Sequence, residues 1–106
     1  MLDAQYLVLD LIRALRPLCE CVQRRSPDLA DQLRRAASSV ALNLGEGVRR
    51  TGRDKRRAYR IAAAEAQEVK VALEVALAWG WLDEASVASL RALADRVGRV
   101  TYALAR

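Results

Sequence analysis

The chain of 106 residues contains no histidine, no phenylalanine and only two cysteines. Without histidine it lacks the commonest general base and the commonest metal ligand of proteins. Cys19 and Cys21 are two positions apart in a predicted helix, about 200° around its axis, so one zinc ion or one local disulfide cannot use both. We interpret both as small apolar residues in a reducing cytoplasm. We expect no enzyme activity, no metal and no other cofactor.

Long apolar runs and a basic leader are also missing. The N-terminal stretch MLDAQYLVLDLIR carries acids at Asp3 and Asp10 and has no basic segment ahead of its apolar residues, so it does not resemble a secretory signal peptide. No uninterrupted apolar run is long enough to span a bilayer. We therefore predict a cytoplasmic protein with no membrane partner.

What the chain does contain is typical of an all-α protein. Apolar residues make up 53 % of it, proline is found only twice, and charged residues reach 29 %. Strong helix formers with few breakers favour helices, and the spacing of apolar residues locates them. A chain of this length buries about two-thirds of its unfolded surface as one domain, which we predict to comprise residues 1–106.

The first predicted helix runs from about Leu2 to Arg25. Pro17 lies inside its pattern, so we expect a kink near Arg13 to Arg16 rather than two helices. Its apolar stripe comprises Val8, Leu11, Leu15, Leu18 and Val22, at steps of three and four, and is widened by Leu2, Tyr6, Leu9 and Ile12.

The second predicted helix begins after Ser26-Pro27-Asp28, which combines an N-cap serine, a proline at the first helical position and an acid facing the helix dipole. It carries two adjacent stripes, which predicts two packing partners. One comprises Leu29, Leu33, Ala36, Val40, Asn43 and Gly47, and the other Ala30, Ala37, Ala41, Leu44 and Val48.

Thr51-Gly52 predicts a break before a third helix, in which Asp54 lies near the start. Gly80 is expected to end that helix and Asp83 to cap the fourth. The third stripe comprises Ala58, Ala62, Glu65, Val69, Ala72, Ala76 and Trp79, and the fourth Val87, Leu90, Ala94, Val97, Thr101 and Leu104. Short connections make neighbouring helices antiparallel, so we predict an up-down-up-down four-helix bundle.

The segment from Val48 to Arg60, VRRTGRDKRRAYR, has seven cations among thirteen residues and one acid. It joins the second and third helices, so the charge collects at one end of the bundle, and its natural partner is a polyanion such as RNA or DNA. The predicted nucleic-acid-binding residues are Arg49, Arg50, Arg53, Lys55, Arg56, Arg57 and Arg60, with Arg34 and Arg35 as a possible extension. Two alternatives are a solvated helix end neutralised by Glu46 and Asp54, and a scaffold that docks an acidic protein.

Polar residues interrupt the apolar stripes at Asn43 and Glu65. Folding the helices back at Thr51 brings Glu65 level with Ser38 and Ser39, Asn43 level with Arg60, and Glu46 level with Arg57. A hydrogen-bond network among them would fix helix register or subunit pairing, and a functional pocket is the alternative. Glu46 and Glu65 could also form an acid–base pair, although no nucleophile or metal set accompanies them. Trp79 and Trp81, beside Gly80, would pack across the bundle end or stack on bases.

The run from Gln32 to Ala62, QLRRAASSVALNLGEGVRRTGRDKRRAYRIA, resembles the bacterial four-helix-bundle proteins of the ribosomal-RNA intervening-sequence type, a family that includes the accessory protein of diversity-generating retroelements. The matching elements are Gln32 to Ala36, Ser38-Ser39, Asn43, Glu46-Gly47, Arg50, Tyr59, Ile61-Ala62, Glu68 and Gly80 to Glu84. Two departures are Gly45, where the family often has Ala, and Ala64-Glu65, where it often has Gly-Ser.

The resemblance implies an antiparallel bundle that assembles into a homopentameric ring. For members of the retroelement type it further implies binding to nucleic acid and to a reverse transcriptase. It implies no enzyme activity. Ala64 and Glu65 change the seam of small residues at that place in the family's bundle.

Overall fold

Four α-helices form the molecule, and a computed structural model describes all 106 residues of it. They are α1 (Asp3–Gln23), α2 (Pro27–Arg49), α3 (Gly52–Ala78) and α4 (Glu84–Ala105). Each helix packs against two others: α1 and α3 both lie between α2 and α4. The connections 24–26, 50–51 and 79–83 are short, which makes successive helices antiparallel. The predicted all-α four-helix bundle is confirmed.

The helix starts follow the predicted capping residues. Ser26 Oγ accepts a hydrogen bond from the Leu29 amide at 3.2 Å at the start of α2, and Asp83 Oδ1 accepts one from the Ser86 amide at 2.8 Å at the start of α4. Each bond satisfies one amide that has no partner inside the helix. α1 continues through Pro17 as one helix, as expected.

The end of α3 differs from the prediction at one tryptophan. Trp79 was expected to continue the apolar stripe, but its side chain is 69 % exposed. The helix ends at Ala78, and Gly80 adopts a φ of +77° that turns the chain. The Trp81 amide then donates to the Ala76 carbonyl at 2.9 Å, so Trp81 rather than Trp79 packs against the core. The two indole rings stack with their centroids 5.7 Å apart.

The interior contains the predicted stripes of all four helices in one hydrophobic cluster. Besides Trp79, two residues placed in those stripes are on the surface. Tyr6 lies about 200° around α1 from the buried Ala4 and is exposed. Val48 lies in the last turn of α2, directly after Gly47, the last buried residue of the helix, and is also exposed. No helix combines the length and the apolarity that crossing a bilayer requires.

Candidate nucleic-acid interface

The seven predicted cations lie around the turn between α2 and α3. α2 ends at Arg49, and α3 begins at Gly52, which has a φ of +55°. Because the helices are antiparallel, this turn is at the end of the bundle that also holds the start of α1 and the end of α4. Gly45 of α2 accordingly lies beside Gln5 of α1. The charge is therefore collected at one end of a molecule 43 Å long.

A tight contact between α2 and α3 anchors this end. Tyr59 is only 6 % exposed, and its ring lies against the backbone of α2 at Gly47. A Cβ atom added at Gly47 would be 2.4 Å from Tyr59 Cε1, far inside carbon–carbon contact distance. Glycine is therefore required here so that the tyrosine can hold the start of α3 against the end of α2.

Glu46 engages two of the seven cations, Arg49 at the end of α2 and Arg50 directly after it. Its Oε2 lies 3.1 Å from Arg49 Nη2, and its Oε1 lies 2.6 Å from Arg50 Nη2 and accepts from Arg50 Nε at 2.8 Å. Hydrogen bonds from Arg50 first, and then from Arg49, hold the pKa of the Glu46 carboxyl below its usual range. The carboxylate is thus ionised at neutral pH and partly neutralises both arginines.

The remaining arginines of the set form an open surface. They lie at steps of three and one along the outer side of α3, so they share one helix face about 10 Å long. All are exposed, and none is in an ion pair. Asp54, the acid that lies among them in the chain, bonds to no cation. We call this surface the basic face; it comprises Arg53, Arg56, Arg57 and Arg60.

Three other predicted cations differ from the basic face. Lys55 is half-buried, with Nζ 5.7 Å from the centre of the Tyr59 ring. Arg34 and Arg35 lie about 20 Å along α2 from its end at Arg49. Arg34 donates to Gln23 Oε1 at 2.7 Å, and Arg35 lines a groove on α2 and α3 with two glutamates. These two arginines are therefore too far along the helix to extend the basic face.

The polar residues predicted to form a network between α2 and α3 are Ser38, Ser39, Asn43, Glu46 and Glu65, and their hydrogen bonds differ from the predicted ones. The Asn43 side-chain amide donates to the Ser39 carbonyl at 2.9 Å and to Ser39 Oγ at 3.0 Å, and thus bonds along α2 rather than to Arg60. Glu65 lines the α2–α3 groove together with Ser39, at the height along the helices that the sequence predicted. It makes no hydrogen bond to Ser39 or Ser38. Glu46 bonds to Arg49 and Arg50 at the end of α2 and not to Arg57.

The two glutamates do not form an acid–base pair. Glu65 is level with Ser39, and Glu46 lies two turns further along α2, so about 10 Å of helix separates the two levels. The cysteines are likewise apart: Cys19 is buried, with burial raising the pKa of its thiol, while Cys21 is exposed rather than packed in the interior. No cluster of acids and cysteines is arranged to hold a metal ion.

Sequence reasoning overlooked a second exposed feature beside the basic face. Tyr102 of α4 is 67 % exposed and borders an open groove between α3 and α4. Its signal was present in the pattern, because Tyr102 falls outside the apolar stripe of α4, which predicts that its side chain faces away from the core. Aromatic stacking was expected only at Trp79 and Trp81.

Fold and surface together define a basic four-helix bundle with a cluster of cations at the α2–α3 turn. The family model of the 23S rRNA-intervening sequence protein matches residues 3–103, and the chain belongs to that family. This confirms the resemblance seen in the sequence. Among curated proteins, none matches the chain significantly.

A similar solved structure is a protein of unknown function from the S23 ribosomal protein family of Bacteroides thetaiotaomicron VPI-5482. It is 17 % identical in sequence, with a TM-score of 0.86, and the match covers 97 % of this chain and 98 % of that one. At this identity the likeness concerns the fold, which it supports over nearly the whole length.

Proposed function

We propose that the protein is a non-enzymatic nucleic-acid-binding or ribonucleoprotein accessory module that contacts phosphates through the basic face. The observation that carries the proposal is a row of four exposed arginines with no acidic partner, held on a rigid helix. Such a row has no role in packing the bundle, and its charge attracts a polyanion. The family's name, which refers to 23S rRNA, is in keeping with an RNA partner.

Binding through arginine–phosphate contacts is tolerant of sequence, since phosphates report position rather than base identity. We further propose that the protein self-associates, with the pentameric ring of the family resemblance as the favoured assembly. In a ring, five basic faces would act together and raise the apparent affinity without any new contact. For a role of the retroelement type, a reverse transcriptase would be a further partner.

A second candidate function is a scaffold that docks another protein. Leu42 favours it, because this leucine is 73 % exposed in the middle of α2, away from the basic face. Covering this side chain with another protein would remove apolar surface from water, which is favourable. In that case the basic face would bind an acidic protein surface rather than phosphates.

RNA binding by the wild-type protein separates the two candidates, and charge reversal locates the binding surface. The variant Arg53→Glu with Arg56→Glu removes half of the basic face, and the matched control Arg24→Glu with Arg25→Glu makes the same change of net charge at the opposite end of the bundle. Fluorescence anisotropy with a labelled RNA oligonucleotide reports affinity. We expect the first variant to lose binding and the control to retain it, with helicity unchanged in both.

Equal loss in both variants would show that only net charge matters and would refute the basic face as the site. No binding by the wild-type protein to RNA or DNA at low salt would refute the nucleic-acid proposal and favour the scaffold. Light scattering on the same samples measures the assembly. A monomer there would refute the ring.

A further inference from the structure

An open groove between α3 and α4 adjoins the basic face. It has a volume of about 530 Å³, and it is bordered by Ala63, Ala64 and Gln67 of α3 and by Gly98, Arg99 and Tyr102 of α4. Ala63 and Ala64 come one turn after Arg60 on the same side of α3. The groove is thus a direct continuation of the arginine row.

The groove is shaped by small residues next to an exposed ring. Ala63, Ala64 and Gly98 leave it wide, while the Tyr102 side chain makes no hydrogen bond and is 67 % exposed. Packing does not require the glycine, because a Cβ atom at Gly98 would meet only Lys70 Cδ, at 3.8 Å. Glycine is among the least favourable residues inside a helix. At position 98 it therefore lowers the stability of the helix, while it leaves the groove wider than a side chain would.

The charges of the groove favour an anionic occupant with an uncharged planar part. Lys70 Nζ and Asp95 Oδ1 are 2.9 Å apart and neutralise each other at one end. Arg99 borders the groove, is exposed and is in no ion pair. Arg60 of the basic face lies one helical turn before Ala63 and Ala64, beyond the other end of the groove. No uncompensated acid borders the groove.

We propose that this groove holds an unpaired nucleobase stacked on the ring of Tyr102, while Arg60 and Arg99 contact the phosphates on either side of that nucleotide. Gln67 lies in the groove with an amide that can both donate and accept, as a base edge requires. A duplex covers the faces of its bases, so the ligand class is single-stranded nucleic acid or an unpaired loop. This proposal rests on the proposed phosphate binding, and it adds that the bound nucleic acid is unpaired where it contacts the groove.

Three variants test the ring itself. Tyr102→Leu removes the aromatic face, Tyr102→Phe keeps it, and Tyr6→Leu makes the same exchange at another exposed tyrosine of the same end of the bundle. Each is titrated by fluorescence anisotropy against a labelled unstructured RNA 12-mer and against the same sequence as a duplex. Circular dichroism checks that all three are folded.

We expect Tyr102→Leu to weaken single-strand binding by about fivefold or more, the lower range for loss of one base–aromatic stack. Tyr102→Phe and Tyr6→Leu should stay within about twofold of wild type, and duplex binding should be unchanged in all three. An equal loss for strand and duplex, a Phe variant as weak as the Leu variant, or a loss in Tyr6→Leu as large as in Tyr102→Leu would each overturn the inference. If Tyr102→Leu binds as wild type does, while Arg53→Glu/Arg56→Glu abolishes binding, the groove is refuted and the basic face is not. If the wild-type protein binds neither the strand nor the duplex, both proposals are refuted.

Discussion

Replacing Gly47 by alanine should destabilise the bundle, although alanine is the better helix former. The new Cβ would be 2.4 Å from Tyr59 Cε1, and carbon atoms pack at about 3.5 Å or more, so the ring would have to move by about 1 Å. The ring is buried and cannot move freely. Overpacking of this kind costs about 1–3 kcal/mol, against a gain of at most about 1 kcal/mol from helix propensity.

We therefore expect Gly47→Ala to lower the free energy of unfolding by up to about 2 kcal/mol, measured by urea titration followed by circular dichroism. In a thermal melt each kcal/mol corresponds to about 4–8 °C. The matched background is Tyr59→Leu, which removes the ring edge. In that background Gly47→Ala should become neutral or stabilising, since the clash is gone and the propensity gain remains. An equal loss of unfolding free energy in the wild-type and Tyr59→Leu backgrounds would refute the proposed contact. A Gly47→Ala protein with Tyr59 present that is more stable than wild type would also refute it.

Three further predictions follow from individual contacts. Glu46→Gln should free Arg49 and Arg50, so RNA binding should tighten and its log–log salt dependence should steepen by up to about 1.4; an unchanged salt series would show that the two arginines do not reach the RNA. Leu33→Asp should abolish the helical circular dichroism signal, because position 33 is fully buried and would hold an unpaired charge; a folded variant would contradict this. Gly98→Ala should raise the free energy of unfolding by about 0.4–1 kcal/mol, since its Cβ meets only a side chain at ordinary contact distance, and a lower melting temperature would be the contrary result.

The helices and their ends could be predicted because their signals are local. Ser26, Asp83 and Gly80 each act within one turn of their own position, and each does in the structure what its residue type indicates. The position of the cations at the α2–α3 turn likewise followed from the order of the helices alone. Family resemblance and periodicity pointed to the same fold.

The contacts between side chains could not be read from spacing in the same way. The sequence placed Glu46 opposite Arg57 across the hairpin, but the arginines three and four positions later in the chain are nearer and bind its carboxylate. The fit of the Tyr59 ring on Gly47 depends on how closely two helices approach, which no stripe specifies. The predictions that Trp79 and Tyr6 belong to the apolar stripes were wrong, because aromatic residues are often exposed in folded proteins.

The most direct test of the account is the salt dependence of RNA binding by the wild-type protein. If the four arginines of the basic face each neutralise one phosphate of a single strand, each contributes about 0.7, so a plot of log K against log salt should have a slope of about −2.8 or steeper. A slope near zero, or no binding at low salt, would contradict the claim that this face is a phosphate-binding surface.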